Sequence, residues 1–383
     1  MTYVTEDDND PYKINIRLED DEDSKRKRFF EKGLSTLLDD EHFLLLYVPE
    51  NGDKMKVIRP ANDAYHRKRI IKRINEAKSI PSFYYALSHL WGLSENNRYE
   101  WNDISEYVDD EQGQPMKPVS MRPEKRDALL TMLQDHPDSY WWIDVLCART
   151  DTPLDIMGDI YACCLECIAM IDCQPSLIPK IYTHYQQLHP PSSYELIELL
   201  STFFQSQWWQ RVWTWQEMAL PVGDVRLMAE TDIHRLQTNT ITLKELLEIY
   251  RLLCEHRRVY SGSLRHELLH GMFHARDIDY ARKSNVLRGA TIESVQYVML
   301  SLRNSKRRCY DPCDYIYGVL GMLQIKIPRM SDPNAVWKEF LSKLDDLYAY
   351  ESKKLVDYAG KFDLREAESI GDVYQMCIFS PSD

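Results

Sequence analysis

A chain of 383 residues is longer than one minimal domain, so its length predicts two or three structural units or one large unit with insertions. Hydrophobic residues make up 44% of it, charged residues 28% and aromatic residues 11%. This composition is typical of a packed globular protein and excludes a disordered or collagen-like chain. The 47 Lys and Arg residues are outnumbered by 60 Asp and Glu residues, and the net charge of −13 repels polyanions. We therefore expect no nucleic acid partner.

The sequence contains none of the common membrane, secretion or phosphate-binding patterns. Its apolar runs, such as Phe43–Val48, are far shorter than the about 20 residues of a membrane-spanning helix. The amino-terminal stretch MTYVTEDDNDPYK has neither the basic start nor the apolar segment of a secretory signal, so we expect a cytoplasmic protein. In that reducing compartment the nine cysteines are expected as thiols. The 13 glycines form neither G-x-G-x-x-G nor a P-loop, which excludes those two phosphate sites.

The amino-terminal part of the chain has three distinct patterns. Residues 1–40 begin with an acidic stretch that ends in Lys25-Arg26-Lys27-Arg28, and we expect a flexible leader or one draped over the domain. The apolar runs Phe43–Val48 and Met55–Arg59 are joined through Asn51-Gly52, which predicts a β-hairpin. Residues His66–Lys78 predict a basic helix, whose cations either face solvent or hold phosphates.

From residue 83 apolar runs alternate with helical patterns, which predicts an α/β fold: an open, mostly parallel sheet flanked by helices. The predicted strands are Phe83–Ser88, Tyr140–Cys147, Cys167–Asp172 and Asp224–Ala229. The predicted helices between them are Arg122–Gln134, Leu154–Glu166 and one long helix from Tyr194 through Leu220. Later helices are predicted over Leu243–His256, Thr291–Arg303, Asp314–Met322 and Asn334–Tyr348. We therefore expect an α/β domain over 41–232 and a mostly helical C-terminal region over 233–383.

Five ordered motifs lie between residues 84 and 322. They are YALSHLWG (Tyr85–Gly92), WIDVLC (Trp142–Cys147), MGDIY (Met157–Tyr161), WWQRVWTWQE (Trp208–Glu217) and DPCDYIYGVLG (Asp311–Gly321). In sequence and order they resemble the motifs of the fungal heterokaryon incompatibility (HET) domain family, and such a series is far more specific than one short motif. The resemblance implies an effector of non-self recognition and regulated cell death.

One segment departs from the family pattern. The family usually continues its W-I-D-x-x-C motif with I-N-Q, an acidic pair and a Glu. This chain instead has Ala148-Arg149-Thr150-Asp151-Thr152-Pro153, in a connector that is a few residues shorter. Roles that the family's Asn, Gln and Glu hold are therefore not carried over to this chain.

The HET fold is similar to that of TIR domains, some of which cleave NAD⁺, and this more remote resemblance implies a TIR-like sheet and NAD⁺ as substrate, without a cofactor. The spacing of Trp213 and Glu217 resembles that of the aromatic residue and catalytic Glu of those enzymes. A carboxylate beside the ribose stabilises the oxocarbenium-like transition state, so Glu217 is the predicted catalytic residue. Trp213 and Arg211 are assigned to substrate binding. The alternative is that Arg211 only pairs with Glu217 and that the tryptophans are core.

Ser88, His89 and Trp91 follow the first predicted parallel strand directly. Ligands of open parallel sheets bind at the carboxyl ends of strands, so these three residues are predicted to bind substrate. In the alternative interpretation Ser88 caps the next segment and Trp91 fills the core. Asp144 lies in an otherwise apolar predicted strand and must be paired, which favours a structural role for it.

Two further patterns carry chemistry. His266-Glu267-Leu268-Leu269-His270 matches the H-E-x-x-H zinc motif, with Glu293 as a distant third ligand, which makes a zinc metalloprotease a less favoured function; the alternative is a surface helix. Four cysteines are closely spaced but lack a second C-x-x-C, so we expect buried thiols and no metal site: Cys163, Cys164, Cys167 and Cys173.

A second function, of another class, remains open from the sequence. The domain could be a non-enzymatic signalling adaptor that acts by self-association or by binding a recognition protein. The changed Ala148-Arg149-Thr150 segment favours this alternative, because a degenerate site is expected to lose catalysis first.

Overall fold

The computed structural model describes residues 12–17, 23–91, 99–187, 194–232, 239–255, 278–279, 281–282, 292–348, 353–355, 359–377 and 379–381. Its strands in these segments are β1 (Leu45–Val48), β2 (Met55–Ile58), β3 (Tyr84–His89), β4 (Glu100–Trp101), β5 (Val108–Asp109), β6 (Val119–Ser120), β7 (Ser139–Ile143), β8 (Glu166–Ile171), β9 (Asp224–Ala229), β10 (Thr240–Thr242), β11 (Lys353–Leu355) and β12 (Phe379–Pro381).

Eight strands form one sheet in the order β10-β9-β8-β3-β7-β1-β2-β5. The pairings β9–β8, β8–β3, β3–β7 and β2–β5 are parallel, whereas β10–β9, β7–β1 and β1–β2 are antiparallel. The mostly parallel α/β sheet predicted from the sequence is therefore confirmed. So is the hairpin, whose strands are β1 and β2. Buried side chains line β7 and β8, as expected for strands covered on both faces.

The described α-helices are α1 (Asp23–Asp39), α2 (Ala64–Glu76), α3 (Pro123–Gln134), α4 (Asp144–Cys147), α5 (Met157–Ala162), α6 (Leu177–Gln187), α7 (Tyr194–Phe204), α8 (Thr214–Ala219), α9 (Leu243–Glu255), α10 (Ile292–Arg303), α11 (Asp314–Tyr317), α12 (Leu320–Leu323), α13 (Pro333–Tyr348) and α14 (Ile370–Gln375). After β10 nearly all described elements are helical, so the predicted helical C-terminal region is also confirmed.

The order of the parallel strands creates a switch point in the centre of the sheet. The chain passes from β3 to its neighbour β7 and then crosses back over β3 to reach β8 on the other side. Connections that leave in opposite directions open a crevice at the carboxyl ends of the two diverging strands, and ligands of such sheets bind there. In this protein that crevice lies at the ends of β3 and β8, where Ser88 and His89 occur.

Three predicted elements are shorter or more divided than their sequence patterns indicated. The strand predicted over Tyr140–Cys147 ends at Ile143, and Asp144 begins α4 instead of lying in the strand. The helix predicted over Leu154–Glu166 is a 3-10 turn followed by the short α5. The long helix predicted from Tyr194 through Leu220 is three pieces, because a 3-10 turn over Gln207–Gln210 and extended backbone at Arg211 separate α7 from α8.

The amino-terminal leader is more ordered than predicted. From Asp23 onward it forms α1, and Phe30, Leu34 and Leu37 of that helix are buried in the core. For residues 23–39 this helix agrees with a leader packed over the domain and not with a flexible one. Apolar residues three and four apart explain this, because they give the helix a face that packs against the protein.

The basic helix α2 has most of its cations in ion pairs. Arg67 pairs with Asp39, whereas Arg69 and Arg73 both pair with Asp138. These pairs occupy the guanidinium groups, which favours a solvated, ion-paired face over a phosphate-binding surface.

The C-terminal region packs directly on the α/β part. The buried apolar residues of both form one continuous core. Arg308 pairs with the 210–212 segment through the bonds Arg308 N to Gln210 O, 2.7 Å, and Val212 N to Arg308 O, 3.1 Å. The division of the chain at residue 232 stays a prediction.

Candidate active site

Polar and charged residues follow each of the four parallel central strands. Ser88 and His89 end β3, Asp144 follows β7, Asp172 follows β8 and Glu230 follows β9. Because the strands are parallel, all these side chains belong to one edge of the sheet, which is also the edge of the switch point. This edge is the candidate site.

Glu217 lies on α8 and reaches the end of β3. One oxygen of its carboxylate, Oε2, accepts a hydrogen bond from the Ser88 hydroxyl. Ser88 in turn accepts a bond of 3.0 Å from Nε1 of Trp208, so the hydroxyl proton is directed at Glu217. The Tyr161 hydroxyl also bonds the Glu217 side chain. The structure thus brings together Ser88 and Glu217, which the sequence analysis assigned to one site.

Burial controls the protonation of Glu217. The residue is only 6% exposed, and its burial raises the pKa of its carboxyl group from 4.5 to about 7. The charge of Arg211 and the bond from Ser88 act in the opposite direction. A carboxyl group with this pKa exists in both protonation states near neutral pH, as general acids and bases do.

His89, Asp144 and Trp91 form a hydrogen-bonded chain that leads to the surface. Nε2 of His89 lies 2.8 Å from Oδ1 of Asp144, and Nε1 of Trp91 donates to Oδ2 of Asp144 at 2.6 Å. The backbone N–H of Val145 donates to Oδ1 as well. Burial would raise the pKa of Asp144, but its interaction with His89 and the hydrogen bond from Trp91 lower it below its ordinary value. Trp91 is 45% exposed and stands at the rim of the site.

Asp144 was predicted to have a structural role, and its contacts agree with orientation of the loop. It fixes two predicted site residues, the imidazole of His89 and the indole of Trp91. Its position at the start of α4 explains how it reaches them, because its backbone has already turned out of β7.

Arg211 and Trp213 occupy the edge of the same site. The Arg211 guanidinium donates through Nη1 to the backbone carbonyl of His89, at 2.8 Å, and its charge acts on Glu217. The half-buried Trp213 hydrogen-bonds the Asp314 carboxylate, whose pKa burial raises to about 6. Trp213 precedes α8 and its carbonyl accepts the Glu217 backbone N–H, as the predicted four-residue spacing requires.

Lys125 is a site residue that sequence reasoning missed. It is fully buried on α3, donates through Nζ to the Leu90 carbonyl, and lies 3.6 Å from Oε2 of Glu230. Burial and the nearby charge of Arg122 lower the pKa of its amine to about 7. Lys125, Ala128 and Leu129 share the buried face of α3, and this helical spacing was the available signal.

One cavity of the structure lies at the carboxyl ends of β8 and β9. Its volume is about 460 Å³, in the range of small-molecule sites. It is lined by Pro175, Ser176, Pro179, Lys180, Thr183, His184, Asp232 and Asn239. The residues predicted for the site are not among these.

Three of the four clustered cysteines are buried as predicted, whereas Cys173 is half-buried. Cys163, Cys164 and Cys167 are buried, and burial raises the pKa of each thiol. Within the described segments, no three His, Cys, Asp or Glu side chains are grouped as metal ligands. The His266–His270 motif lies outside the described residues. In the part of the chain that the structure covers, no helix has the length and apolarity needed to cross a membrane.

These features define the class of the protein. It is a doubly wound α/β protein with a buried carboxylate and a charged network at its switch point. Comparison with known families then identifies part of it: residues 84–217 match the family model described as Heterokaryon incompatibility protein (HET). This match supports a role related to heterokaryon incompatibility. The match begins at Tyr84 in β3 and ends at Glu217 on α8, so it spans the candidate site. No curated protein and no solved structure matches the chain.

Proposed function

We propose that this HET-domain protein is an effector of non-self recognition and regulated cell death that hydrolyses NAD⁺ to nicotinamide and ADP-ribose. The observation that carries the proposal is the Glu217 carboxyl group: it is buried, bonded to Ser88, and located at the switch point of the sheet. The TIR-like resemblance of the motifs, which is an analogy of fold and spacing, supplies the reaction class.

The reaction needs little more than a well-placed carboxylate. The bond between C1′ of the ribose and the nicotinamide nitrogen breaks, and its electron pair leaves with neutral nicotinamide. Positive charge develops on the ribose, and the ionised form of Glu217 stabilises it. Water then adds to C1′, and the carboxylate accepts the proton that this water releases.

The other residues of the site have supporting roles in this proposal. The Ser88 hydroxyl fixes Oε2 of Glu217 and thereby orients the carboxylate toward the ribose. The exposed indole of Trp91 stacks on a ring of the substrate, since aromatic faces bind flat rings. Arg211 and His89 fix the backbone that carries Trp91, and Trp213 forms the side wall next to α8.

The test is release of nicotinamide from NAD⁺ by the purified chain. Glu217→Gln keeps the volume of the side chain and the ability to accept from Ser88, but it removes the charge. We expect a loss of about 100-fold or more in kcat. Glu198→Gln, which changes an exposed carboxylate on α7, is the matched control and should retain full activity. Equal activity of Glu217→Gln and the unchanged chain would reject Glu217 as the catalytic residue.

A second candidate function is a non-enzymatic adaptor that acts by self-association or by binding a recognition protein. The observation that favours it is that the Glu217 carboxylate is already hydrogen-bonded to Ser88 and Tyr161, in a residue that is only 6% exposed. The adaptor predicts cell death that persists in Glu217→Gln together with unchanged cellular NAD⁺. The enzyme predicts that NAD⁺ falls before death and that both effects disappear in this variant.

A further inference from the structure

Lys125 is a fully buried cation for which the proposed reaction has no use. Its ammonium joins three elements: it lies on α3, donates to the Leu90 carbonyl after β3, and pairs with Glu230 after β9. A buried ammonium is costly unless a charge and hydrogen bonds compensate it. Nζ also lies 3.2 Å from Nδ1 of His89, and this contact links the cation to the site.

The protonation of His89 follows from the groups around its ring. Nε2 lies 2.8 Å from a carboxylate oxygen of Asp144, whereas Nδ1 faces the ammonium of Lys125 and the Leu90 carbonyl, the latter at 2.9 Å. An imidazolium would place two positive charges 3.2 Å apart in a buried site, and burial also lowers the pKa of His89.

Of the two neutral forms, the one protonated on Nε2 has the better partners. A proton on Nδ1 would leave the bare lone pair of Nε2 against the Asp144 carboxylate, and two donors would then meet at Lys125. A proton on Nε2 lets Lys125 donate to Nδ1 and lets Nε2–H donate to Asp144. Nδ1 then lies 2.9 Å from a second acceptor, the Leu90 carbonyl, but Lys125 donates to both atoms, and this arrangement is more favourable than a bare Nε2 against the charged carboxylate of Asp144.

We propose that Lys125 is a positioning residue: it fixes His89 as the neutral Nε2–H tautomer and, through Asp144, holds the rim indole of Trp91 in place. The linked groups run from Glu230 through Lys125, His89 and Asp144 to Trp91. The effect on catalysis rests on the proposed NAD⁺ hydrolysis, because Trp91 is the predicted stacking surface. The tautomer and the indole contact do not depend on that function.

The tautomer is measured directly by ¹⁵N NMR of the full chain labelled in histidine and tryptophan. His89→Gln identifies the imidazole signals and Trp91→Phe identifies the indole signal. We expect His89 to show a protonated Nε2 and an unprotonated Nδ1, and the Trp91 Nε1–H to exchange slowly. An Nδ1–H tautomer or a doubly protonated ring would overturn the proposal, whether or not the protein hydrolyses NAD⁺.

Variants separate positioning from a merely structural role. Lys125→Met should abolish the single tautomer of His89 and shift the Trp91 indole signal, and nicotinamide release should fall by about 100-fold in kcat. Arg122→Gln removes the other cation beside Glu230 but does not touch His89, so both signals should stay unchanged. The double variant Lys125→Met with Glu230→Gln removes both buried charges. It replaces the single variant in the same measurements if Lys125→Met does not fold. Unchanged His89 and Trp91 signals without Lys125 would contradict the proposal.

Discussion

The carboxyl group of Glu217 is subject to opposing influences that nearly balance at neutral pH. Burial favours the protonated form, whereas the charge of Arg211 and the Ser88 and Tyr161 hydrogen bonds favour the ionised form. Burial dominates and holds the pKa at about 7. The same side chain is therefore able to stabilise a cation when ionised and to exchange a proton with water, which are the two tasks of the proposed reaction.

This balance predicts a pH-dependent stability. Because the pKa of Glu217 is 4.5 in the unfolded chain and about 7 when folded, the unfolded chain loses its proton first as pH rises. The contribution of this group to the free energy of unfolding therefore falls by about 3 kcal/mol between pH 4.5 and 7. Above pH 7 it stays constant. Glu217→Gln lacks the titration, so its stability relative to the unchanged chain should rise by that amount.

Denaturant unfolding of both chains across this pH window measures the difference. Glu198→Gln, with its exposed side chain, should follow the unchanged chain at every pH. A stability difference between Glu217→Gln and the unchanged chain that is constant with pH would show that burial does not perturb Glu217.

Two motif glycines explain how short helices are brought together. Gly158 on α5 and Gly321 on α12 face each other so closely that a Cβ on either would lie 2.6 Å from the other's Cα. A backbone atom cannot move aside as a flexible side chain can. α12 also contacts α8, the helix of Glu217, so this packing supports the site from behind.

Gly158→Ala is accordingly predicted to destabilise the protein by roughly 2 kcal/mol, because overpacking outweighs the gain in helix propensity. Thermal or denaturant unfolding measures this. Gly360→Ala is the control, since an added Cβ there meets nothing within 4 Å, and its stability should change by no more than about 0.5 kcal/mol. An equal effect of the two substitutions would disprove the close-approach explanation.

The sequence predicted the strands of the parallel sheet well and the helices around the site poorly. Continuous apolar runs such as Cys167–Asp172 have few alternatives to a buried strand. The long helix predicted from Tyr194 through Leu220 failed because its aromatic spacing suits a helix, whereas Arg211 is extended and its segment pairs with Arg308. That pairing depends on a distant part of the chain, which local periodicity does not contain.

Long-range contacts also explain why only some residues of the site were predicted from the sequence. Ser88 and Glu217 were assigned together because each belongs to a recognisable motif. Lys125 and Glu230 belong to none, and their contacts with the β3 loop arise only when α3 and β9 reach the same edge of the sheet. Burial of a lysine is rare enough that single-sequence reasoning assigns it to the surface.

At the scale of the whole molecule, the C-terminal region supports the segment that matches the family model. Arg307 is fully buried and donates through Nη1 to Arg211 O, 2.9 Å, and to Thr214 Oγ1, 2.7 Å, at the start of α8. Its guanidinium lies 5.4 Å from the centre of the Trp215 ring. The last residues of the family match therefore depend on groups that lie far beyond residue 217.

This dependence predicts that a fragment over residues 1–232, which keeps α1, will not fold as an independent unit. Removing the rest of the chain exposes the faces of α5 and α8 that α12 contacts and leaves the Arg211 carbonyl and Thr214 hydroxyl without Arg307. We expect the fragment to unfold without a cooperative thermal transition, and addition of a separately expressed 233–383 fragment to restore one. Differential scanning calorimetry measures both, with the intact chain as reference. A cooperative transition of the isolated fragment at the temperature of the intact chain would show that residue 232 is a true domain boundary.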